Sequence, residues 1–79
     1  MRPKIYSTQR KAINAARKAY GDCRTNDVAW VHRGLSGYPS HNYWCEGYVV
    51  CPRDGDRFVH GLHEALGLLP QEEILLVSV

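Results

Sequence analysis

The first 24 residues contain a single acidic side chain, Asp22. The same stretch holds seven of the ten Lys and Arg residues of this 79-residue chain and carries a net charge of +6. These seven are Arg2, Lys4, Arg10, Lys11, Arg17, Lys18 and Arg24. The remaining residues carry −4, so the total of +2 hides a dipolar molecule. A one-sided basic field attracts anionic partners, either nucleic acid or an acidic protein surface.

Long hydrophobic runs are also missing. No apolar segment, residues 74–77 included, is longer than four residues, far short of the roughly 20 residues that a transmembrane helix needs. The basic start of the chain lacks the apolar stretch of a signal peptide. A chain of 79 residues is expected to form one domain over 1–79, because smaller pieces could not bury a core. These features predict a single intracellular domain without a membrane partner.

Cysteine is scarce, with Cys23, Cys45 and Cys51 as the three copies. An odd number argues against the paired framework of a secreted mini-protein. On one strand Cys45 and Cys51 would lie about 20 Å apart, too far to bond. We therefore expect reduced thiols that pack as small hydrophobes, and the sequence leaves open whether they do more.

Catalytic and metal-binding signatures are weak. One helical face groups potential ligands at i, i+3 and i+4, namely His60, His63 and Glu64. No C-x-x-C or H-E-x-x-H pattern supplies the remaining ligands of a zinc site. Cys45 with His41 or His32 is the one nucleophile–base pair to consider, and no third residue is placed to orient it. The sequence predicts a non-enzymatic protein without metal or cofactor.

Hydrophobic periodicity predicts helix, strand, strand, helix and strand, in that order. The predicted ranges are 8–20, 27–33, 43–50, 57–66 and 73–79. Ser7 or Thr8 can cap the first helix, and Gly21 can end it. A hairpin followed by a crossover helix predicts an α+β domain with a three-stranded antiparallel sheet. We expect the first strand in its centre and both helices on one face.

The predicted first helix is amphipathic. Its apolar positions are Ala12, Ile13, Ala16, Ala19 and Tyr20. The opposite side is cationic along its whole length through Arg10, Lys11, Arg17 and Lys18. An exposed basic stripe steers association with an anionic surface, so these four residues, together with Arg24, are predicted to dock a partner. The alternative is a solvated face that only keeps the protein soluble.

Aromatic side chains suggest a second contact region. Trp30, Trp44 and Tyr48 are predicted to share one sheet face, which either forms the core under the alanine-rich helix or anchors a partner. A loop over 34–42, dense in turn residues, joins the first two strands. Contact specificity is predicted to come from the loop and its flank, through Tyr38, His41, Tyr43 and Trp44. The alternative is a plain hairpin connection.

The last predicted strand, 73–79, lies at a sheet edge. Exposed edges present unpaired backbone groups to other strands. The edge could therefore pair with a second copy, which leaves a monomer or a weak homodimer as the expected oligomeric state.

In its length, its α+β order, the basic residues 10–18 and the segment 38–44, the chain resembles small phage and mobile-element accessory proteins, including anti-CRISPR proteins. The resemblance implies an inhibitor in the cytoplasm of a host bacterial cell. Such a protein docks on a larger protein or nucleoprotein complex, such as a CRISPR effector, and blocks its access to target DNA. Many of these proteins are acidic DNA mimics, and the cationic stripe departs from that pattern. The alternative function is a small nucleic-acid-binding domain that uses the same helix on phosphates.

Overall fold

Two helices and three strands follow one another in the predicted order. We describe them from a computed structural model, which covers residues 3–35, 43–53 and 58–79. The elements are α1 (Gln9–Tyr20), β1 (Val28–Leu35), β2 (Trp44–Val50), α2 (Val59–Leu66) and β3 (Glu72–Ser78). Each bound lies within two residues of the sequence-based expectation. The α+β class and the element order are confirmed.

Local signals fix both ends of α1. The Thr8 hydroxyl accepts a hydrogen bond from the Lys11 amide at 3.2 Å, which satisfies one of the unpaired donors of the first turn. Gly21 ends the helix at φ +84°, a left-handed conformation that favours glycine. Its N–H donates to Arg17 O. Neither helix in the described part of the chain has the length and hydropathy needed to cross a bilayer.

The sheet is antiparallel with the order β2-β1-β3. The predicted central position of the first strand is therefore confirmed. In the middle of the sheet Trp30 pairs with Tyr48 on one side and with Val77 on the other. Directly paired residues of antiparallel strands share a face, so these three side chains lie on the same side of the sheet.

The two helices lie on opposite faces of the sheet. Val28 packs with Ala12 and Ala16 of α1, whereas the next residue, Ala29, packs in a separate core cluster with Leu62 of α2. Successive strand residues point to opposite faces, so the prediction that both helices cover one face is wrong. The physical reason is that both sides of the central strand are apolar at this end, and each buries a helix. We call the two sides the α1 face and the α2 face.

A bulge in β2 changes which side chains share a face. Val31 pairs with Gly47, whereas His32 pairs with Cys45, so Glu46 has no residue opposite it on β1. An extra residue in one strand breaks the period of two and reverses the side on which the following residues lie.

The bulge places Trp44 on the α2 face, beside Arg33, with which it pairs. Trp30 and Tyr48 lie on the α1 face. The prediction that Trp30, Trp44 and Tyr48 share one face is therefore wrong for Trp44.

The two edges of the sheet differ. Along β2, Tyr6 forms a two-way bridge with Tyr48, with N–H···O distances of 2.8 and 3.0 Å. A Cβ atom at Gly47 would lie 2.7 Å from both Ile5 Cγ2 and Tyr6 O, so glycine is what lets the N-terminal segment approach this closely. On the outer side of β3, the described residues provide no strand.

Candidate partner-binding surfaces

Four cations project from α1 into solvent. We call Arg10, Lys11, Arg17 and Lys18 the basic face, and all four are exposed. Among the residues that the structure describes, none of them lies within ion-pair distance of a carboxylate. The Lys11 ammonium donates a hydrogen bond to the neutral Ser7 Oγ at 3.1 Å, and this hydroxyl supplies no opposite charge.

The described arginines outside α1 are all paired. Arg24 Nε lies 3.4 Å from Asp22 Oδ2, and Arg33 Nε lies 3.0 Å from Glu46 Oε1. Arg53 contacts two carboxylates at once. Arg24 is therefore held by an acid of its own chain, although the sequence grouped it with the basic face.

Arg53 and Asp27 form the centre of a clamp between the end of α1 and the end of β2. Asp27 is only 4% exposed. Arg53 Nε lies 3.1 Å from Asp27 Oδ1 and Nη2 lies 2.7 Å from Oδ2, while the Arg24 amide donates to the same carboxylate at 2.8 Å. The guanidinium also lies 4.3 Å from the centre of the Tyr20 ring and binds Asp22.

The clamp changes the acidity of its members. Hydrogen bonds from Arg53, reinforced by the Arg24 amide, hold the pKa of Asp27 below its usual value. Hydrogen bonding to Arg53 also lowers the pKa of Asp22. In return, Asp27 and Asp22 raise the pKa of Arg53. Sequence reasoning missed the clamp because Arg53 lies 26 and 31 positions from its two partners. In the sequence, the one weak indication of the clamp was a pair of acids, Asp22 and Asp27, at the end of an otherwise basic segment.

Part of the α1 face is not covered by the helix. Trp30 is 39% exposed, and its neighbours on β3, Leu75 and Val77, are 47% and 43% exposed. Trp30 packs edge-on against Tyr48, with ring centres 6.1 Å apart, and lies 5.6 Å from the His32 ring. We call Tyr48, Trp30 and His32 the aromatic row. The aromatic face was predicted to be either core or accessible surface. Both environments occur, because Tyr48 packs beneath α1 and Trp30 remains accessible.

The flank of α1 that faces β3 is basic. Arg17 and Ile13 line a shallow depression together with Val28 and Val79. Arg10 lies two turns before Arg17 and therefore on the same flank of the helix. Two of the exposed cations thus lie on this flank of α1.

Tyr43 lies on the α1 face, beyond the end of the aromatic row. Its hydroxyl donates a hydrogen bond to Glu73, which raises the pKa of Tyr43. Its ring lies over Gly34, where a Cβ atom would come within 2.8 Å of the ring. Tyr43 thereby links β2 to β3 across the central strand.

Trp44 lies on the opposite side of the sheet. It is 45% exposed, its indole N–H donates to Glu46 Oε1 at 2.8 Å, and the Arg33 guanidinium lies 5.1 Å from its ring.

The predicted contact residues that the structure describes do not form one surface. The basic face lies on α1, Arg24 follows it in the clamp, and Tyr43 and Trp44 lie on different faces of the sheet. Tyr38 and His41 lie outside the described residues.

His63 is oriented by two backbone carbonyls. Its Nδ1 lies 3.0 Å from Val59 O and its Nε2 lies 3.0 Å from Glu72 O. These contacts raise the pKa of the imidazole, because only the protonated ring donates to both oxygens. The nearby His60 is exposed. Within the described ranges, no group of three His, Cys, Asp or Glu residues is arranged to hold a metal ion.

The thiols differ in access. Cys45 is exposed, Cys23 is half-buried and Cys51 is buried, and none of the three forms a disulfide. Cys45 lies opposite His32 on the neighbouring strand, and its Sγ lies 3.7 Å from Gly47 O.

Comparison with known proteins finds no protein-family model, no curated protein and no solved structure that matches this chain. Its chemistry must therefore be inferred from its own residues.

Proposed function

We propose that the protein is a non-enzymatic docking protein that uses the basic face of α1 to bind an acidic surface of a larger protein or nucleoprotein complex. One observation carries this proposal. The four cations of the basic face have no carboxylate partner in the described part of the chain, whereas Arg24, Arg33 and Arg53 all do.

The difference matters because a cation paired within its own chain contributes little field outside the molecule. An unpaired cation keeps its field, which raises the association rate with an anionic surface. The 12-residue helix α1 is about 18 Å long. It therefore offers a row of charges that spans a substantial part of a typical contact area.

The charge of the rest of the chain favours a protein surface over bare nucleic acid. Outside the first 24 residues the chain is net acidic. A surface of mixed charge can match both parts, while phosphates attract one part and repel the other. The resemblance to anti-CRISPR proteins extends this proposal to a nucleoprotein effector whose target-DNA site the bound protein covers.

Three baits test the docking proposal in a bacterial lysate. They are the wild type, the reversal Arg10→Glu/Lys11→Glu/Arg17→Glu/Lys18→Glu, and the charge-conserving exchange Arg10→Lys/Lys11→Arg/Arg17→Lys/Lys18→Arg. We expect the wild type and the charge-conserving exchange to capture the same protein, and the reversal to capture at least tenfold less of it. Equal capture by the folded reversal variant would contradict the proposal.

Nuclease treatment of parallel lysate samples separates direct protein binding from binding through nucleic acid. The docking proposal expects the captured protein to remain after treatment. Purified wild-type protein should then reduce target-DNA binding by the captured complex, and the reversal variant should not.

A second candidate function is binding of single-stranded nucleic acid. The observation that favours it is the accessible Trp30, in an aromatic row on the sheet face that packs against α1, the helix that carries Arg10 and Arg17. Exposed aromatic rings stack on bases while arginines neutralise phosphates.

The fluorescence of Trp30, isolated by Trp44→Phe, tests this second function. Quenching by oligothymidylate that weakens steeply with salt would support it, and an unchanged signal at low salt would exclude it.

A further inference from the structure

The outer edge of β3 presents an alternating set of backbone groups. Val79 N–H donates to Val28 O at 3.1 Å, which sets the hydrogen-bonding phase between β1 and β3. In an antiparallel pair, every second residue directs its N–H and C=O to the partner strand and the residues between direct theirs away. The backbone groups of Ile74, Leu76 and Ser78 therefore point outward.

The backbone N–H and C=O of Glu72 also point outward, but both already have hydrogen-bond partners within the chain. Its N–H donates to Leu69 O at 3.0 Å, and its carbonyl oxygen lies 3.0 Å from His63 Nε2. Among the residues that the structure describes, Ile74, Leu76 and Ser78 have no backbone partner on this side. The unused set is thus centred on Leu76.

The stretch of β3 from Ile74 to Ser78 lacks the features that commonly prevent edges from pairing. It contains no charged residue, Pro or Gly, and its register with β1 runs without a bulge. The two charges of the strand, Glu72 and Glu73, lie at its start. The other edge of the sheet is covered, because Tyr6 bridges to Tyr48.

We propose that β3 pairs antiparallel with β3 of a second copy, with Leu76 opposite its own counterpart. Ile74 of each chain then lies opposite Ser78 of the other, so the unused groups of both chains form about six N–H···O bonds. A register centred on Leu75 would instead place Ser78 opposite Glu72, whose backbone groups are occupied.

The side chains fit this register. On the α1 face, the exposed Leu75 of each chain lies opposite the exposed Val77 of the other. Glu73 lies opposite Val79, so no two acids face each other. The pairing covers apolar surface that the single chain leaves in water, and it satisfies every backbone donor that the edge leaves open.

The symmetry has a consequence for the charged surface. Antiparallel pairing of identical edges gives a two-fold axis normal to the sheet, so both copies of α1 lie on the same side. Two basic faces then flank a floor that contains Trp30, Leu75 and Val77 from each chain. The dimer is inferred from the β3 edge alone and does not depend on the proposed function.

Charge-swapped variants test the pairing and its register in sedimentation velocity experiments. The wild type should sediment as a dimer of the 9.0 kDa chain. Leu75→Glu/Val77→Glu and Leu75→Lys/Val77→Lys should each be monomeric, because like charges then face each other. Mixed in equal amounts, the two variants should form a heterodimer. Leu69→Glu, which charges an exposed leucine outside β3, should remain dimeric. A monomeric wild type, or a mixture that stays monomeric, would overturn the proposal.

Amide exchange tests the hydrogen bonds directly. The N–H groups of Ile74, Leu76 and Ser78 should become at least tenfold better protected as protein concentration rises through the dimerisation range. Those of Leu75 and Val77, which already face β1, should change little. Equal protection changes in the two sets would contradict edge pairing. Neither experiment uses a docking partner, so their outcome is separate from that of the docking proposal.

Discussion

Positively charged side chains have different roles in two neighbouring regions of this molecule, the clamp and the basic face. In the clamp, Arg53 is fixed by Asp22, Asp27 and the Tyr20 ring. One helix length away, Arg10 and its neighbours on the basic face have no acidic partner among the described residues. The comparison shows that residue type does not decide whether a cation stabilises the fold or remains exposed to solvent. The position of the acids decides it.

Replacing the buried acid of the clamp should have the largest effect on stability. Asp27→Asn removes the charge that compensates Arg53 and leaves a guanidinium partly buried without its main partner. We expect the urea midpoint of unfolding to fall by about 1 M. An Asp27→Asn midpoint equal to that of the wild type would show that the clamp contributes no stability.

The second-largest effect on stability should come from acid, which weakens the clamp. The pKa values of Asp22 and Asp27 are lower in the folded chain than their usual 3.8, so the folded state binds fewer protons than the unfolded state. The contribution of Asp22 and Asp27 to the free energy of unfolding is present above pH 3.8 and is lost as the pH falls through their lowered pKa values. Urea unfolding from pH 5 to pH 2 measures it, and the loss should be smaller in Asp27→Asn. Parallel curves would contradict this assignment.

His63 should give a smaller dependence of opposite sign. Its pKa is raised above 6.5 by the carbonyls of Glu72 and Val59 and by the charge of Glu72. The contribution of protonated His63 to the free energy of unfolding is complete below pH 6.5. It is lost as the pH rises through the pKa of His63 in the folded chain. We expect His63→Gln to flatten the stability profile between pH 6 and pH 9. A wild-type profile without a decline in this range would contradict the raised pKa.

The exposed ion pair between Arg24 and Asp22 should matter least. Arg24→Gln removes it, and such pairs contribute little to stability. The midpoint should stay within about 0.3 M of the wild type. The four-residue neutral variant Arg10→Gln/Lys11→Gln/Arg17→Gln/Lys18→Gln should also stay in this range, because these four cations form no ion pair with the residues that the structure describes. A large loss in that variant would mean that the basic face is part of the fold.

Much of the fold could be predicted from local signals. Thr8 and Gly21 mark the ends of α1, and alternating apolar residues mark the strands. The placement of the helices could not be predicted in this way. Val28 and Ala29 are both apolar, so alternation does not tell which side of β1 is covered, and both sides are.

The contact residues show a different limit. The stripe on α1 follows from helical periodicity, and its exposure is confirmed. The position of Trp44 depends on a bulge at Glu46. In the sequence, the glycine at position 47 was the one indication of this bulge, and in the structure Gly47 has φ +144°. The pairing of Arg53 with Asp27 joins distant positions and leaves no periodic pattern. Local rules thus identify the exposed cations but not the compensated ones.

Retention on a heparin column most directly tests whether the basic face is available to another macromolecule. Because the four cations of the basic face have no acidic partner among the described residues, the four-residue neutral variant should elute at clearly lower salt than the wild type. The double variant Arg24→Gln/Arg33→Gln, which removes paired arginines, should elute close to the wild type. Equal elution of the wild type and the four-residue variant would contradict the account.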